Sequence, residues 1–273
     1  MDVVVLGGGG GLGQLICERL HAKGHTATSI GRRNIDELDR LGSGGASPSV
    51  LINCAGASVA LGLGHGWRGY RAVDVPIGLR AVEAAKRARA RLVYVGVHHG
   101  PALRDCAYVD AHERVADAMQ GVDGCIVRAT GFFSAYAALL PMAKRGFVAD
   151  IGSGSPRTNP ICERDLAEIV VDCALGGDGP RDVAAGGPEV LTRRQIIEAV
   201  AARAGRRVRI ASMPIWMIHA SSLVMRALHP RIGQFMQFAV GLAKHDAIAP
   251  ALGTTKLGDY LDQLTGLPVS AAA

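Results

Sequence analysis

Short apolar runs alternate with amphipathic stretches along the first two thirds of the chain. Residues 3–6 form a wholly apolar run that ends in glycines, which is typical of a strand buried on both faces of a parallel sheet. Apolar residues then recur at helical spacing over 12–23. Continuing this pattern predicts strands at 26–30, 50–53, 92–95 and 125–128, and helices at 72–90, 108–119 and 165–175. Such alternation specifies an α/β fold with a doubly wound parallel Rossmann sheet.

The pattern changes in the last third of the chain. Thr192 and Gln195 fit a capping box that opens a helix over 195–204. Residues 211–244 are rich in Met, Ile and Leu and carry few charges. We therefore predict a Rossmann domain over residues 1–186, whose ligand is indicated by its glycine and arginine motifs. A small, mainly helical substrate subdomain is predicted over residues 187–273.

The connection after the second predicted strand is short for this fold. Residues 34–48 are all that separate the end of that loop from the strand at 50–53. One helix–strand unit is therefore predicted to shrink to a loop around Asp36 and Asp39.

Composition narrows the class of protein. Of 273 residues, 49% are hydrophobic and 20% are charged, which is typical of a globular chain. No apolar run reaches the roughly 18 residues of a membrane span, so we expect no stable membrane insertion. The six cysteines form no CxxC pair and the first strand starts at residue 2, so we expect reduced thiols, no signal peptide and a cytoplasmic location. The net charge of +6 suits an anionic cofactor, whereas no aromatic-basic interleaving supports nucleic-acid binding.

A glycine-rich turn follows the first strand. Gly7, Gly10 and Gly13 form a G-x-x-G-x-x-G pattern, and Gly11 and Leu12 open the following helix. This spacing permits a tight turn and a close approach of backbone to a pyrophosphate, while the helix N-terminus supplies free N–H groups and a positive dipole end. We expect these five residues to bind a dinucleotide.

Two arginines follow the second strand, where NAD-binding proteins usually carry an acidic residue. A planar guanidinium suits a 2′-phosphate, and no carboxylate is present to hold the ribose hydroxyls of NAD. Arg32 and Arg33 therefore predict NADP(H) as the cofactor. The alternative is that they only solvate the start of a helix.

With these motifs, the sequence resembles the short-chain dehydrogenase/reductase superfamily in its extended and atypical branches. The resemblance is carried by the glycine pattern and by four segments: INCAG at 52–56, RLVYV at 91–95, VRATGFF at 127–133 and RTNPI at 157–161. The last segment, with Asp165-Leu166-Ala167, is similar to divergent members that include quinone-associated reductases and the NADPH-binding accessory subunit of respiratory complex I. The resemblance implies further cofactor contacts at Asn53, Ala55, Gly56, Val95, Thr130, Gly131 and Phe132.

The catalytic set departs from the family pattern. The family uses a Ser and a Tyr-x-x-x-Lys motif, but here Tyr108 is followed by His112 in place of the lysine. The strand that usually ends in Ser or Thr leads instead to His98 and His99. We expect Tyr108, His112 and His98 as catalytic candidates, with His112 near the nicotinamide ribose and one of the two loop histidines polarising a substrate oxygen. The alternative is a core-edge tyrosine, a helix-surface histidine and ordinary loop histidines; no metal site is predicted.

Apolar residues of the C-terminal segment are candidates for a substrate pocket. We predict that six of them line an apolar pocket together with three aromatic residues of the Rossmann domain. The nine residues are Trp216, Met217, Met225, Phe235, Met236 and Phe238, together with Phe132, Phe133 and Tyr136. The alternatives are that they form ordinary core, or that the segment docks on a membrane surface.

These features favour an NADPH-dependent oxidoreductase that transfers hydride to a small hydrophobic carbonyl, enone or quinone. The second hypothesis is a non-catalytic NADP(H)-binding sensor or assembly protein, and a third is epimerisation or dehydration of a nucleotide sugar. As partners we expect a small hydrophobic substrate and no nucleic acid, with a homodimer as a further candidate.

Overall fold

The structure, a computed structural model, describes residues 1–44, 47–57, 66–177 and 179–266. The strands in this part of the chain are β1 Asp2–Leu6, β2 Thr26–Ile30, β3 Val50–Asn53, β4 Arg91–Val97, β5 Gly124–Ala129, β6 Phe147–Ile151, β7 Arg157–Thr158, β8 Asp182–Ala185, β9 Leu191–Thr192 and β10 Arg209–Met213. The helices are α1 Gly11–Ala22, α2 Glu37–Arg40, α3 Tyr70–Ala88, α4 Ala107–Ala118, α5 Phe133–Ala137, α6 Leu140–Lys144, α7 Glu163–Leu175, α8 Arg193–Ala202, α9 Ile215–Leu228, α10 Pro230–Leu242 and α11 Leu257–Thr265. A short 3-10 helix spans Pro101–Leu103.

Six strands form one parallel sheet in the order β2-β1-β3-β4-β5-β8. Leu6 at the end of β1 pairs with Ile30 on one side and with Asn53 on the other. The loops that follow these three strands therefore leave the sheet along one edge, which is where open α/β sheets bind their ligands. The predicted doubly wound Rossmann sheet is confirmed.

Helices cover both faces of this sheet because its strands are apolar on both sides. Val3 and Val5 face a core shared with α1 and α7. Val4 and Leu6 face the opposite core, which α3 and α4 close. The helices α3 and α4 approach closely at Gly78, where a Cβ atom would lie 2.8 Å from Val115 Cγ1.

The connection between β2 and β3 is as short as predicted. In its described residues it holds only the four-residue helix α2 and no strand, so β2 forms the edge of the sheet. The Arg80 guanidinium ties this segment to α3 through Asp39, at 2.6 Å.

The C-terminal third adds two small sheets and a helical layer. The strand β6 pairs with β10 in parallel, and β7 pairs with β9 antiparallel. The predicted capping box at α8 is confirmed: Gln195 N–H donates to Thr192 Oγ1 at 3.1 Å, and Thr192 N–H donates to Gln195 Oε1 at 2.8 Å. The boundary at 186/187 stays a prediction; β6 precedes it and pairs with β10, which follows it.

Candidate functional site

The glycine turn between β1 and α1 is held too closely for side chains at two positions. Gly7 has φ +92°, and a Cβ atom there would lie 2.8 Å from the backbone nitrogen of Ala55. A Cβ atom on Gly13 would lie 2.6 Å from Gly8 Cα and 2.7 Å from Gly7 C. These contacts bring α1 against the loop that leaves β1, which is the role the spacing predicted.

The outer side of the same turn is open. A Cβ atom on Gly9 or Gly11 would meet no atom within 4 Å. The first hydrogen bond of α1 runs from Gln14 N–H to Gly10 O at 2.8 Å, so the N–H groups of Gly11, Leu12 and Gly13 have no partner inside the helix. Free amides, a positive helix end and room in front of them fit the pyrophosphate of a dinucleotide.

Arg32 and Arg33 lie in the loop that follows β2, the strand next to β1, so this loop and the glycine turn leave neighbouring strands. Both side chains are exposed, and within the described ranges neither forms an ion pair or a hydrogen bond. Asn34 fixes the loop that carries them, because Gly31 N–H donates to its Oδ1 at 2.8 Å and its Nδ2 donates to Ser29 O at 3.2 Å. The arginines are therefore available to an anionic ligand, and their role toward a 2′-phosphate stays a prediction.

The loop after β3 is braced from within. Asn53 is buried, and its Oδ1 accepts a hydrogen bond from Ala55 N–H at 3.1 Å. The backbone of Ala55 faces Gly7, and Gly56 follows it along the same edge. Asn53 thus shapes the predicted cofactor wall, and its amide oxygen is already bonded.

Two residues that sequence reasoning missed lie next to this loop, on the first turns of α3. Asp74 Oδ1 accepts a hydrogen bond from Ala57 N–H at 2.6 Å. The Asp74 Oδ2 atom and the Tyr70 hydroxyl are buried and have no hydrogen-bond partner among the described residues. Burial raises the pKa of the Asp74 carboxyl to about 6. The one signal in the sequence was a carboxylate on the inward face of a predicted helix.

The loop after β5 is anchored by the segment 157–161. Thr130 Oγ1 donates to Asn159 O at 2.7 Å, and Asn159 is itself fully buried. The side-chain amide of Asn159 donates to Gly187 O at 3.1 Å and to Ala249 O at 2.8 Å, while its Oδ1 accepts from Ala249 N–H at 3.0 Å. Asn159 thus joins three separate loops.

The remaining predicted cofactor residues differ in exposure. Gly131 is exposed and has no room for a side chain, since a Cβ atom would lie 2.9 Å from the Tyr136 hydroxyl. Phe132 is half-buried and bridges to Ile161. Val95 is buried in the core that faces α1 and α7, so its side chain points away from the open edge.

Tyr108 lies in the first turn of α4 and is surrounded by rings. Its ring centroid is 4.9 Å from that of Tyr70, 4.9 Å from that of His112 and 4.8 Å from that of Phe238. Its hydroxyl has no hydrogen-bond partner within the described part of the chain. Burial raises the pKa of the Tyr108 phenol, so the group keeps its proton at neutral pH.

His112 shares a helix face with Tyr108, as the spacing predicted, but it is bonded to another residue. Its Nδ1 lies 2.6 Å from the hydroxyl of Tyr94 on β4. Burial lowers the pKa of His112 to about 4, so the ring is neutral. Tyr94 was missed because its contact with α4 depends on how the helix packs over the sheet.

His98 and His99 follow β4 and take part in different interactions. His98 Nε2–H donates to Ile248 O at 2.9 Å, and burial lowers the pKa of the ring. The neutral ring therefore presents Nδ1 as an acceptor, so His98 can donate to a substrate oxygen only when protonated. The polarising role of His98 stays a prediction.

His99 belongs to a network of charged groups. Its Nε2 lies 3.3 Å from Glu113 Oε1, and Nδ1 lies 2.9 Å from Gly100 O. Glu113 also contacts the guanidinium of Arg128, which pairs with Asp182 at 2.8 Å. Burial by itself would raise the pKa of Glu113, but the hydrogen bonds from His99 and Arg128 lower it to about 2. His99 is thus held by the network.

The predicted nine-residue apolar pocket is wrong. Trp216 is 72% exposed on the outer face of α9, whereas Phe133 is 1% exposed in a core formed with α8 and α11. Of the nine residues, Phe238 packs on Tyr108, and Phe235 lies against the same small cluster. The periodicity predicted the helices but not the face that each one buries.

The described residues lack two kinds of feature. No helix there is long and apolar enough to cross a membrane. No group of three or more His, Cys, Asp or Glu side chains in the same residues has the arrangement of a metal site.

Comparisons with known proteins extend this description. No protein-family model and no curated protein matches the sequence. Among solved structures, human epimerase family protein SDR39U1 (isoform 2), with NADPH, is similar at a TM-score of 0.70 and 21% identity over 99% of this chain and 95% of that chain. The dTDP-4-dehydrorhamnose reductase of Bacillus anthracis, in complex with NADP, is similar at a TM-score of 0.63 and 11% identity over 89% of this chain and 96% of that chain. Pal from Bacillus thuringiensis is similar at a TM-score of 0.65 and 10% identity over 100% of this chain and 95% of that chain. The chain therefore shares the Rossmann fold of these proteins.

Proposed function

We propose that the chain is an NADP(H)-dependent oxidoreductase that transfers hydride to a small hydrophobic carbonyl, enone or quinone. The observation that carries the proposal is one sheet edge with an open, amide-lined turn beside two unpaired arginines, and with a protonated tyrosine among aromatic rings farther along it. Two of the similar structures hold NADPH or NADP, which agrees with this cofactor. A cytoplasmic location, a homodimer and a substrate subdomain over 187–273 remain part of the proposal.

The chain's own residues divide the binding of the cofactor between them. The amides of Gly11, Leu12 and Gly13 hold the pyrophosphate, and the Arg32 and Arg33 guanidinium groups hold the 2′-phosphate. When bound, NADPH supplies the hydride. As the family resemblance implies, the loop at Gly56 lies beside the adenosine and the loop at Gly131 lies near the nicotinamide.

Tyr108 is the proton donor of the proposed reaction. Because its pKa is raised, it donates its proton less readily than the tyrosine of a Ser-Tyr-Lys set. The acceptor must therefore need little acid assistance, which favours a conjugated carbonyl such as an enone or a quinone. The rings of Tyr70 and Phe238 exclude water and favour an apolar acceptor.

A second candidate function is favoured by a specific observation. His112 is bonded to Tyr94 and its neutral ring does not assist ionisation of Tyr108. A non-catalytic NADP(H)-binding sensor or assembly protein would tolerate this arrangement, because it needs only the cofactor end of the edge.

Turnover with an acceptor panel tests the reaction. Purified protein should oxidise NADPH in the presence of at least one quinone or enone, and Tyr108→Phe should lower kcat by about 10²-fold with an unchanged Kd for NADPH. Tyr260→Phe is the matched control, since the Tyr260 ring packs against Phe133 in the core formed with α8 and α11 and not against Tyr108. NADPH binding without turnover would overturn the reductase and support the non-catalytic function; absence of NADPH binding would overturn both.

Cofactor choice is tested separately by titration with NADPH and NADH. Hydrogen bonds to charged groups contribute about 1.5–3 kcal/mol each, so Arg32→Ala with Arg33→Ala should weaken NADPH binding by about 10²-fold or more. NADH binding should change little. Arg145→Ala with Arg181→Ala removes the same charge from exposed sites elsewhere and should leave both affinities unchanged. Equal weakening of NADPH and NADH by the first pair would refute the 2′-phosphate role.

A further inference from the structure

The outer face of α9 exposes large apolar side chains in a continuous row. Trp216 is 72% exposed, Leu223 52%, Val224 61% and Leu228 62%. Their spacing of seven, eight and twelve residues from Trp216 places all four on one side of the helix. The alanines at 220 and 227 are exposed on the same side. Single exposed apolar residues are ordinary, but a whole helix face of them marks an interaction surface.

This face is held outward by the packing of a helical hairpin. α9 packs chiefly against α10, and Gly233 of α10 allows close approach, because a Cβ atom there would lie 2.6 Å from Arg226 Cα. At the corner, His229 N–H donates to Met225 O at 2.6 Å, and His229 Nδ1 accepts from Ile232 N–H at 3.4 Å. The apolar face of α9 therefore points to solvent in a fixed orientation.

A second tryptophan lies at the same end of the hairpin. Trp67 is 60% exposed, and its ring stacks on that of His229 with centroids 6.0 Å apart. The chain has only two tryptophans, and both are exposed. Tryptophan side chains favour the boundary between lipid headgroups and acyl chains because they combine an apolar ring with an N–H donor.

The charged residues in the segment that contains the hairpin are all basic, and one of them, Arg203, pairs with Asp262 of α11. Residues 199–245 contain no Asp or Glu. The same segment carries seven basic residues: Arg203, Arg206, Arg207, Arg209, Arg226, Arg231 and Lys244. Arg226 and Lys244 are exposed beside the apolar face. A second copy of the chain would bring like charges together here, whereas an anionic lipid surface is complementary to them.

We propose that the α9 face, formed by Trp216, Leu223, Val224 and Leu228, docks the chain on the surface of a bilayer that contains anionic lipids. The helix lies parallel to the surface, with its apolar side among the upper acyl chains and its basic flanks at the headgroups. With 14 residues, α9 is shorter than the roughly 20 that span a bilayer, so docking involves no crossing.

The same hairpin connects this surface to the candidate active site. Phe238 of α10 packs against Tyr108, so docking through α9 brings that end of the sheet edge toward the bilayer. A hydrophobic acceptor dissolved in the bilayer would then have a short path to it. Delivery of such an acceptor depends on the proposed function; the docking itself does not, and it is tested without an acceptor.

Flotation with lipid vesicles tests the docking on the full chain. The protein should float with vesicles of phosphatidylcholine mixed with phosphatidylglycerol, and much less with vesicles of phosphatidylcholine alone. The variant Trp67→Phe leaves Trp216 as the only tryptophan, and its fluorescence should shift to shorter wavelength on vesicle binding. No flotation with either vesicle, or an unshifted spectrum, would overturn the proposal.

Matched variants locate the docking face. Trp216→Ser with Leu223→Ser and Leu228→Ser should weaken vesicle binding by about tenfold or more for each large side chain that is buried in the lipid. The control Val190→Ser with Leu252→Ser and Leu264→Ser changes three apolar side chains exposed elsewhere and should bind vesicles as the unchanged protein does. Equal binding by both triple variants would overturn the proposal.

Two further measurements test the role of the basic side chains and the alternative that a second copy of the chain covers α9. Arg226→Glu should reduce binding to the anionic vesicles. Sedimentation should show no dissociation of an oligomer on Trp216→Ser with Leu223→Ser and Leu228→Ser. If those substitutions dissociate a dimer, a second copy covers α9 and the lipid proposal fails.

Discussion

Alanine substitutions within the glycine turn should separate folding from cofactor binding. At Gly13 the new methyl group would lie 2.6 Å from Gly8 Cα and 2.7 Å from Gly7 C, both of them backbone atoms. Helix α1 must then move away from the loop that leaves β1. Overpacking of this kind costs about 1–3 kcal/mol, and for a chain of this size each kcal/mol lowers Tm by about 2–4 °C.

At Gly11 the same substitution meets no atom within 4 Å. Alanine in a helix is also more favourable than glycine by roughly 0.5–1 kcal/mol, so the stability of the cofactor-free protein should be unchanged or slightly higher. The methyl group, however, occupies the space in front of the free amides. Loss of one hydrogen bond to a phosphate, about 1.5–3 kcal/mol, should weaken NADPH binding about 10- to 100-fold.

Thermal unfolding of the cofactor-free proteins and fluorescence titration with NADPH measure the two effects. Gly177→Ala serves as the control, because its Cβ atom would also meet open space but lies after α7. Unchanged NADPH affinity in Gly11→Ala would refute the binding role of the turn. Unchanged stability in Gly13→Ala would refute the packing argument.

Three further predictions concern stability and pH. Burial raises the pKa of the Asp74 carboxyl to about 6 and so penalises its charged form. Asp74→Asn removes this penalty and should raise the free energy of unfolding above about pH 6. At roughly 1.4 kcal/mol per pKa unit, the gain is up to about 3 kcal/mol. Denaturation at pH 4 should show no such gain, and a loss of stability at both pH values would contradict the reasoning. The pKa of Glu113 is lowered to about 2 in the folded chain. Its charged form therefore stabilises the fold above its unfolded-state pKa of about 4, and this stabilisation is lost as the pH falls toward 2. Acid denaturation of Glu113→Gln should therefore be flatter than that of the unchanged protein in this window; parallel curves would be evidence against the network. Thr192→Ala should lower the free energy of unfolding by about 0.5–2 kcal/mol, as measured by urea titration. Thr192→Asn keeps a capping side chain and should lower the free energy of unfolding much less.

The parts of the fold that local pattern determines could be predicted. β1, β3, β4 and β5 are largely apolar on both faces, and β2 is a short strand that lies between α1 and a turn, so the positions of all five were predicted to within two residues. β8 was missed because Asp182–Ala185 is short and contains a single large apolar side chain. β6 and β10 were missed for a related reason, since half-buried pairs of strands lack a continuous apolar run.

The candidate site divides in the same way. The glycine spacing is local, and its geometry is as predicted at Gly7 and Gly13. The bond between Tyr94 and His112 depends on the position of α4 over β4, so it has no local signature. The outward orientation of Trp216 also depends on packing, because α9 is apolar on most of its circumference and the sequence alone does not distinguish the face that α10 covers.

The buried carboxamide of Asn159 has a consequence for how the chain melts. The Asn159 side chain forms hydrogen bonds with the backbone of Gly187 and Ala249, and the Asn159 carbonyl accepts one from the Thr130 hydroxyl. If the segment around Ala249 detached, the fully buried amide would lose two of its bonds, and the backbone at Asn159 that accepts from Thr130 would be held less firmly. Residues on either side of position 186 are therefore cooperatively coupled, and loosening the C-terminal segment also loosens the loop after β5.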